Sequence, residues 1–427
     1  MRDVVGERFE ELFGPEFGHG KPYDLNALRN ALEALGSPHS DLPAVIHVAG
    51  TNGKGSTIAF MRAIAESAGL KVHAFTKPHL FRLNERFVVS SEFASDLMLL
   101  AVVEDIARVD PDLTQFEAQV LAAFTLFHEH HARLALIETG MGGRDDSTNA
   151  LGSPSAVVIS PIDLDHQDAL GASLAEIATH KAGILKSGSP AIVARQAPGV
   201  MAVIEARAAE IGAPLIRAGV EWDAYASQGR LVVQTETRAL DLPLPLLQGR
   251  HQIDNAGLAC VALLSTGLPI EESALASGVA NAAWPARLQP LTRGALSAPV
   301  RAVGGELWVD GGHNAQAAAT LARALNDMNE RRGGASIAIV GLRARKDAHA
   351  FIGALAGAVE RLIAVPLCEP HIAPDVIAAI GAAAGVATAT ASSLAAAMQN
   401  AAQLPAPRVL ICGSFLLAAE ALAIENP

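Results

Sequence analysis

Ile46-His47-Val48-Ala49-Gly50-Thr51-Asn52-Gly53-Lys54-Gly55-Ser56-Thr57 is the stretch whose reading decides the fold. The apolar run over residues 44–48 predicts a buried strand, and the residues from Ser56 onward (Thr57, Ile58, Phe60, Met61, Ile64) predict a helix. Gly50, Gly53 and Gly55 stand at the junction with Thr51, Asn52, Lys54 and Ser56. Such a junction suits a phosphate cradle: glycines let backbone N–H groups approach oxygens, and the helix N-terminus supplies positive potential. Lys54 neutralises charge, and Ser56 or Thr57 can reach a magnesium ion. The strict pattern G-x-x-x-x-G-K-[ST] is not met, because Val48 occupies its first position and Gly55 separates Lys54 from Ser56. An ordinary Gly-rich strand-to-helix turn is the bland alternative.

Outward from that loop, 427 residues exceed one hydrophobic core and predict two domains. Half the residues are hydrophobic and only 4% aromatic, the composition of a well-buried globular protein. The net charge of −12 argues against nucleic-acid and membrane-surface partners. The first ten residues alternate charge with apolar side chains and hold no signal-peptide core, so a cytoplasmic protein is expected. Cys260, Cys368 and Cys412 lack a C-x-x-C spacing and read as buried thiols in a reducing compartment.

In chain order, an amphipathic helix is expected from Asp24 to about Leu35, ending at Gly36. A strand at 71–75 leads to Thr76-Lys77-Pro78-His79. A helical region at about 96–109 leads to Leu113-Thr114-Gln115-Phe116-Glu117, followed by another apolar helix through Phe127. The run 134–137 predicts a buried strand with Glu138 at its carboxyl end, and Gly140, Gly142 and Gly143 force a loop after it. The strand at 155–160 precedes Asp163-Leu164-Asp165-His166. Ser173 and Glu176 form a capping box for a helix that carries Lys181.

This alternation implies an α/β fold, a mostly parallel sheet with helices on both faces. Four polar groups then fall beyond the carboxyl ends of separate strands, the edge where open parallel sheets bind ligands. Residues 215–247 read as a Pro- and Gly-rich sub-sheet, and a helix starts near His251. The second half repeats the rhythm, with strands near 307–309, 336–340, 362–365, 387–390 and 409–412, as a smaller Rossmann-like domain. The expected division is 1–290, a linker at 291–299, and 300–427.

Read together, several stretches resemble the folylpolyglutamate synthase/dihydrofolate synthase family of Mur-type ligases. They are the 50–56 loop, Glu138 with Gly140-Met141-Gly142-Gly143-Arg144, Asp165-His166, Lys181-Ala182-Gly183-Ile184 and His251-Gln252 with Asn255-Ala256. Trp284-Pro285-Ala286-Arg287 and Asp310-Gly311-Gly312-His313-Asn314 complete the set. The resemblance implies an ATP- and Mg2+-dependent enzyme of folate biosynthesis. It would join L-glutamate to dihydropteroate, to polyglutamylated folate, or to both, through an acyl phosphate.

It further implies that Gly50, Thr51, Asn52, Gly53, Lys54, Gly55 and Ser56 hold the ATP phosphates. Glu138 and His166 would ligate magnesium with Ser56, although that ion prefers oxygen to imidazole; the bland reading of His166 is a turn residue. Asn255 would meet adenine, Arg287 the phosphates or ribose, and Asp310 the ribose. His313 would lie near the reaction centre, and closure of the two domains would exclude water. Lys181 matches a position where the lysine is carbamylated and holds a second metal; its bland reading is a surface lysine. On the pteroate side the resemblance covers Tyr23, Asp24, Leu25, Thr114, Gln115, Phe116, Glu117, Asp145, Asp146 and Ser147, with Phe116 stacking on the pterin. A monomer acting on small molecules is expected.

One position departs from the family: Lys77 stands where a serine usually serves the first magnesium. An ammonium has no lone pair for a metal. Lys77 therefore contacts a phosphate or carboxylate directly, or pairs with Glu138, with Thr76, Ser56 or water completing the metal shell. The alternatives to this reading are another Mur-superfamily amino-acid ligase and a nucleotide-binding regulator without turnover.

Overall fold

The computed structural model describes residues 2–16 and 25–426. The chain forms two compact units, Met1–Leu246 with Ile253–Ala283, and Leu247–Gln252 with Trp284–Pro427.

The first unit is built on eight strands: β1 (Ala44–Ala49), β2 (Val72–Phe75), β3 (Phe87–Val89), β4 (Glu92–Phe93), β5 (Leu134–Glu138), β6 (Ala156–Ile159), β7 (Ala191–Val193) and β8 (Leu215–Arg217). Their order is β4-β3-β2-β5-β1-β6-β7-β8, with β2, β5, β1, β6, β7 and β8 parallel and β3 and β4 antiparallel at one edge. The central strands β1, β5 and β6 are short apolar runs buried along almost their whole length, as expected when helices cover both faces, whereas the edge strand β4 is exposed and β8 half-buried.

Pleat alternation sends Val45 and Ala49 to one face of β1 and Ile46 and Val48 to the other. Val45 joins a core formed with helices Val4–Phe13, Asp96–Val109 and Gln115–Glu129, while Ala49 joins one formed with helices Leu174–Ala182 and Pro198–Ile211. The helix Lys54–Ser67 packs against β1, β2 and β5, and against the helix Glu272–Asn281. There Gly278 lies so close to Ile64 that an added Cβ would sit 2.3 Å from its Cα.

The expected helix after the loop starts two residues earlier than read, at Lys54, so the lysine itself heads the helix. The N-terminal charge alternation conceals a helix, Val4–Phe13, whose Val5, Phe9 and Phe13 recur every fourth residue and are buried. Within 215–247 the reading needs correction. Leu215–Arg217 pairs in parallel with β7 as part of the large sheet, and only β9 (Trp222–Ser227), β10 (Arg230–Thr235) and β11 (Ala239–Pro243) form the separate antiparallel sheet.

The second unit holds β12 (Gln289–Leu291), β13 (Glu306–Val309), β14 (Ser336–Val340), β15 (Arg361–Ala364), β16 (Ala387–Thr390) and β17 (Arg408–Cys412). Their order is β12-β13-β17-β14-β15-β16, parallel except for β12. The expected linker at 291–299 is not a linker. Leu291 ends β12, Ala298 starts a helix, and the segment between is tied down by Glu425. That carboxylate accepts from the N–H groups of Arg293 (3.0 Å), Gly294 (2.7 Å) and Ser297 (2.9 Å) and from Ser297 Oγ (2.7 Å). The unit instead begins at Trp284 and takes in 247–252.

Glu425→Ala leaves the buried Ser297 donors and the part-buried Arg293 and Gly294 N–H groups without this acceptor, which is expected to cost the second unit about 3 kcal/mol. Urea denaturation measures it, and a change below about 0.5 kcal/mol would contradict the role. Among the described residues no helix is long and apolar enough to cross a membrane.

Candidate active site

Strand register assembles the first unit's polar edge. Val48, the last residue but one of β1, pairs with Glu138, the last of β5, so the carboxylate stands beside the start of the glycine loop. Phe75 of β2 pairs with Ile137, which carries Thr76 and Lys77 to the other flank of Glu138. There the Lys77 N–H donates to Glu138 Oε2 at 3.1 Å, ahead of a cis bond to Pro78.

The loop takes its shape from its glycines and from neighbouring strand ends. Gly50 has φ +145, and an added Cβ would lie 1.9 Å from Ser160 Oγ and 2.9 Å from the Ser160 carbonyl oxygen, so only glycine fits where β6 ends. Gly53 has φ +88 and lies against the buried Asn255, whose Oδ1 would be 2.6 Å from an added Cβ. The N–H groups of Thr51 and Asn52 donate to the Pro161 carbonyl (2.9 and 3.2 Å). Thr51 Oγ1 bridges the N–H and carbonyl of Asp163, both at 3.0 Å. The loop amides of Thr51 and Asn52 are thus used in holding the loop's shape. The helix begins here, with Thr57 N donating to the Gly53 carbonyl at 2.9 Å, and the N-terminal end of a helix carries positive potential.

Three lysines gather here. Lys54 Nζ donates to the carbonyls of Gly50 (3.1 Å) and Thr51 (3.2 Å) and lies 3.8 Å from Glu138 Oε1. Lys181 Nζ donates to the same Gly50 carbonyl at 2.7 Å. It is 5% exposed, which removes the surface-lysine reading. Burial, and then the neighbouring Lys54, pushes its pKa down to about 7, with Lys77 adding to the shift and Asp165 and Asp146 opposing it. Burial and Lys54 also lower the Lys77 pKa.

For Lys181 the folded pKa of about 7 lies below the ordinary 10.5, so the unfolded chain binds more protons between those values and stability rises with pH across that window. The melting temperature of the wild type, relative to Lys181→Met in CO2-free buffer, is therefore expected to rise by several degrees between about pH 6 and about pH 9. A pH-independent difference would show that the amine is not held in this way.

Glu138 is 3% exposed and Ser56 2%, a carboxylate and a hydroxyl at the head of the loop. Hard oxygen donors next to a phosphate cradle fit magnesium, which takes one or two carboxylates and completes its shell with water and substrate phosphates. His166 is exposed, has φ +53, and has Nε2 3.8 Å from Asp165 Oδ2. Among the described residues no three His, Cys, Asp or Glu side chains converge as a metal-binding group.

The expected pteroate residues divide. Thr114 and Glu117 form a capping box, with Thr114 N and Oγ1 donating to Glu117 Oε2 at 2.7 and 2.6 Å, so helix Gln115–Glu129 accounts for both without a ligand. Asp146 is similarly engaged, accepting from Met141 N (2.6 Å), Thr148 N (3.0 Å) and Thr148 Oγ1 (2.6 Å). Gln115 and Ser147 are buried beside these caps. Asp145 pairs with Arg144 at 2.9 Å and lies 3.4 Å from His180 Nδ1. Leu25 starts helix Leu25–Ala34 and packs on the core; Tyr23 and Asp24 lie outside the described residues. Phe116 is partly exposed and rests on Gly140, where an added Cβ would fall 2.2 Å from Cζ.

In the second unit, Asp310 directly follows β13 and is buried. Its oxygens accept from Leu288 N (2.8 Å) and Gly312 N (2.6 Å), which fastens the 286–288 turn, where Ala286 and Leu288 have positive φ. Burial raises the Asp310 pKa, against the opposing pull of Arg287. The Arg287 guanidinium lies 4.9 Å from the Phe415 ring centroid, and His313 meets the same ring edge-on at 5.9 Å. Sequence reading missed Phe415. Its only signal is Gly413-Ser414 directly after a buried strand, the same strand-end pattern found at 310–314. His251, which faces Arg287 and Arg323, is pushed down to about 4, chiefly by burial.

A glycine loop carrying lysines at the carboxyl edge of a parallel sheet, joined in one chain to a second α/β unit, is the build of a Mur-type ligase, and residues 48–263 match the Mur ligase middle domain. The dihydrofolate synthase/folylpolyglutamate synthase of Escherichia coli (strain K12) is 35% identical over 82% of this chain and 80% of its own. The solved E. coli FolC in complex with DHPP and ADP superposes with a TM-score of 0.87 at 30% identity, covering 98% of this chain and 97% of that one. The bifunctional enzyme of Yersinia pestis, solved with AMPPNP and Mn ion, gives 0.86 at 30% identity over 98% and 97%. The chain belongs to the dihydrofolate synthase/folylpolyglutamate synthase family.

Proposed function

We propose that the protein ligates L-glutamate to dihydropteroate, and to folates already carrying glutamate, at the expense of ATP. The observation that carries this reading is the gathering of Lys54, Lys181 and Glu138 around the Gly50 carbonyl and the helix head. In the reaction, a carboxylate oxygen of the acceptor attacks the γ-phosphorus and ADP leaves. The glutamate amine then attacks the acyl carbon, loses a proton, and phosphate departs with the oxygen that came from the acceptor. The protein supplies position and positive charge, not a covalent nucleophile.

The helix-head amides and Lys54 take the phosphates. Asn255, packed on Gly53, is placed for the nucleotide. Arg287, Asp310 and His313 are proposed to meet ribose, phosphates and the reacting groups, as in the family. Glu138 and Ser56, with His166 as a third candidate, would hold a divalent cation that neutralises phosphate charge. A neutral amine is the form that adds to CO2, so the lowered pKa of Lys181 supports its carbamylation and a second cation there. On the acceptor side, Phe116 offers the pterin its ring. We further place the reaction in the cytoplasm, with the chain as a monomer; of the three thiols expected to be buried, Cys260 and Cys412 are, whereas Cys368 is exposed.

ADP release by the purified protein tests the reading. Release that needs acceptor, glutamate, ATP and Mg2+ together supports it; ATP binding without turnover would make the protein a nucleotide-binding regulator instead.

A further inference from the structure

We propose that the ammonium of Lys77 is a direct substrate contact, receiving the reacting carboxylate of the acceptor and so selecting anionic acceptors. This rests on the ligase reading given above. It is carried by where the side chain goes and by what surrounds it.

The Lys77 backbone is pinned to Glu138 through its own N–H, at 3.1 Å, so the residue starts at the end of the site proposed for the cation and phosphates. Its side chain does not turn back to Glu138. It runs to the face of Phe116, where Nζ lies 5.8 Å from the ring centroid. Lys77 thus spans from Glu138, which also neighbours Lys54, to the ring proposed for the acceptor.

Among the described residues, the carboxylates near that ammonium are already engaged. Glu138 accepts from the Lys77 N–H and faces Lys54. Both oxygens of Asp146 hold the Met141 and Thr148 donors. Glu16 is held by both arms of the buried Arg86, at 2.8 and 2.9 Å. Among the described residues no hydrogen-bond acceptor or carboxylate pairs with Lys77 Nζ, whereas Lys54 and Lys181 both donate to backbone carbonyls.

A partly buried ammonium with three donors and only an aromatic face is poorly compensated. A carboxylate entering between Phe116 and Lys54 supplies the missing charge and acceptors. The same contact would persist as that carboxylate becomes an acyl phosphate, since the group stays anionic.

Calorimetric titration of the full chain with dihydropteroate and with its carboxamide, which lacks the charge, tests this without requiring turnover. The wild type is expected to favour the carboxylate by about 10- to 100-fold, the range for a hydrogen bond to a charged group. Lys77→Met should abolish that preference while carboxamide binding stays within about twofold, and Lys77→Arg should restore much of it. In steady state, Lys77→Met should raise KM for the acceptor and leave KM for ATP unchanged. Equal weakening of both ligands, or an undiminished preference in Lys77→Met, overturns the proposal. Lys77→Gln replaces Lys77→Met if the latter fails to fold. A wild type that turns over with an indifferent Lys77 refutes this inference alone, whereas a wild type without glutamate-dependent turnover refutes the ligase reading.

Discussion

Lys54→Met is expected to lower glutamate-dependent ADP release by about a thousandfold, with ATP binding weakened far less. The effect follows from position. Lys54 opens the helix Lys54–Ser67, so its charge adds to the potential of that helix end. Its ammonium is held over the loop by the Gly50 and Thr51 carbonyls and balanced by Glu138 at 3.8 Å. A charge fixed in place before the substrate arrives costs no reorganisation when negative charge develops on the transferring phosphoryl group. Methionine keeps most of the unbranched side chain and loses the charge. Rapid-quench measurement of a single turnover reads the chemical step directly, and a rate within about tenfold of wild type would remove Lys54 from it.

Glu138→Gln is expected to lower kcat by about a hundredfold and to shift the Mg2+ dependence to higher concentration. Glutamine preserves an oxygen acceptor for the Lys77 N–H, so the flank formed by β2 should keep its place. What it removes is the buried negative charge that Lys54 faces and that a divalent cation requires. ADP release across a Mg2+ titration separates the two consequences. An unchanged Mg2+ profile with normal kcat would leave Glu138 as a structural carboxylate.

Much of this edge was legible in the sequence because short apolar runs followed by Gly, Lys, Glu or His mark strand ends in a parallel sheet. The capping box of Ser173 and Glu176 was readable for the same local reason, and it stands as expected. Register was not readable. Nothing local says that Val48 lies beside Glu138 or that the Gly50 carbonyl receives Lys181, because those relations are set by pairing across 90 or more residues.

The same limit hid Phe415, whose importance comes from Arg287 and His313 meeting it in space. It also led to a linker being expected at 291–299. That stretch is rich in small and polar residues, and it becomes ordered only because Glu425, at the far end of the unit, supplies acceptors for its backbone. Conversely, the spacing T-x-x-E at Thr114 and Glu117 is also that of a helix cap, and the structure shows that cap.

The acyl-phosphate route at this strand edge is tested most directly by isotope transfer. Dihydropteroate whose carboxylate carries heavy oxygen is incubated with the protein, ATP, Mg2+ and glutamate, and the released phosphate is analysed by mass spectrometry. One labelled oxygen in each phosphate is the predicted result, because the acceptor oxygen that attacks phosphorus leaves with it. Phosphate free of label, with product still formed, would contradict the account.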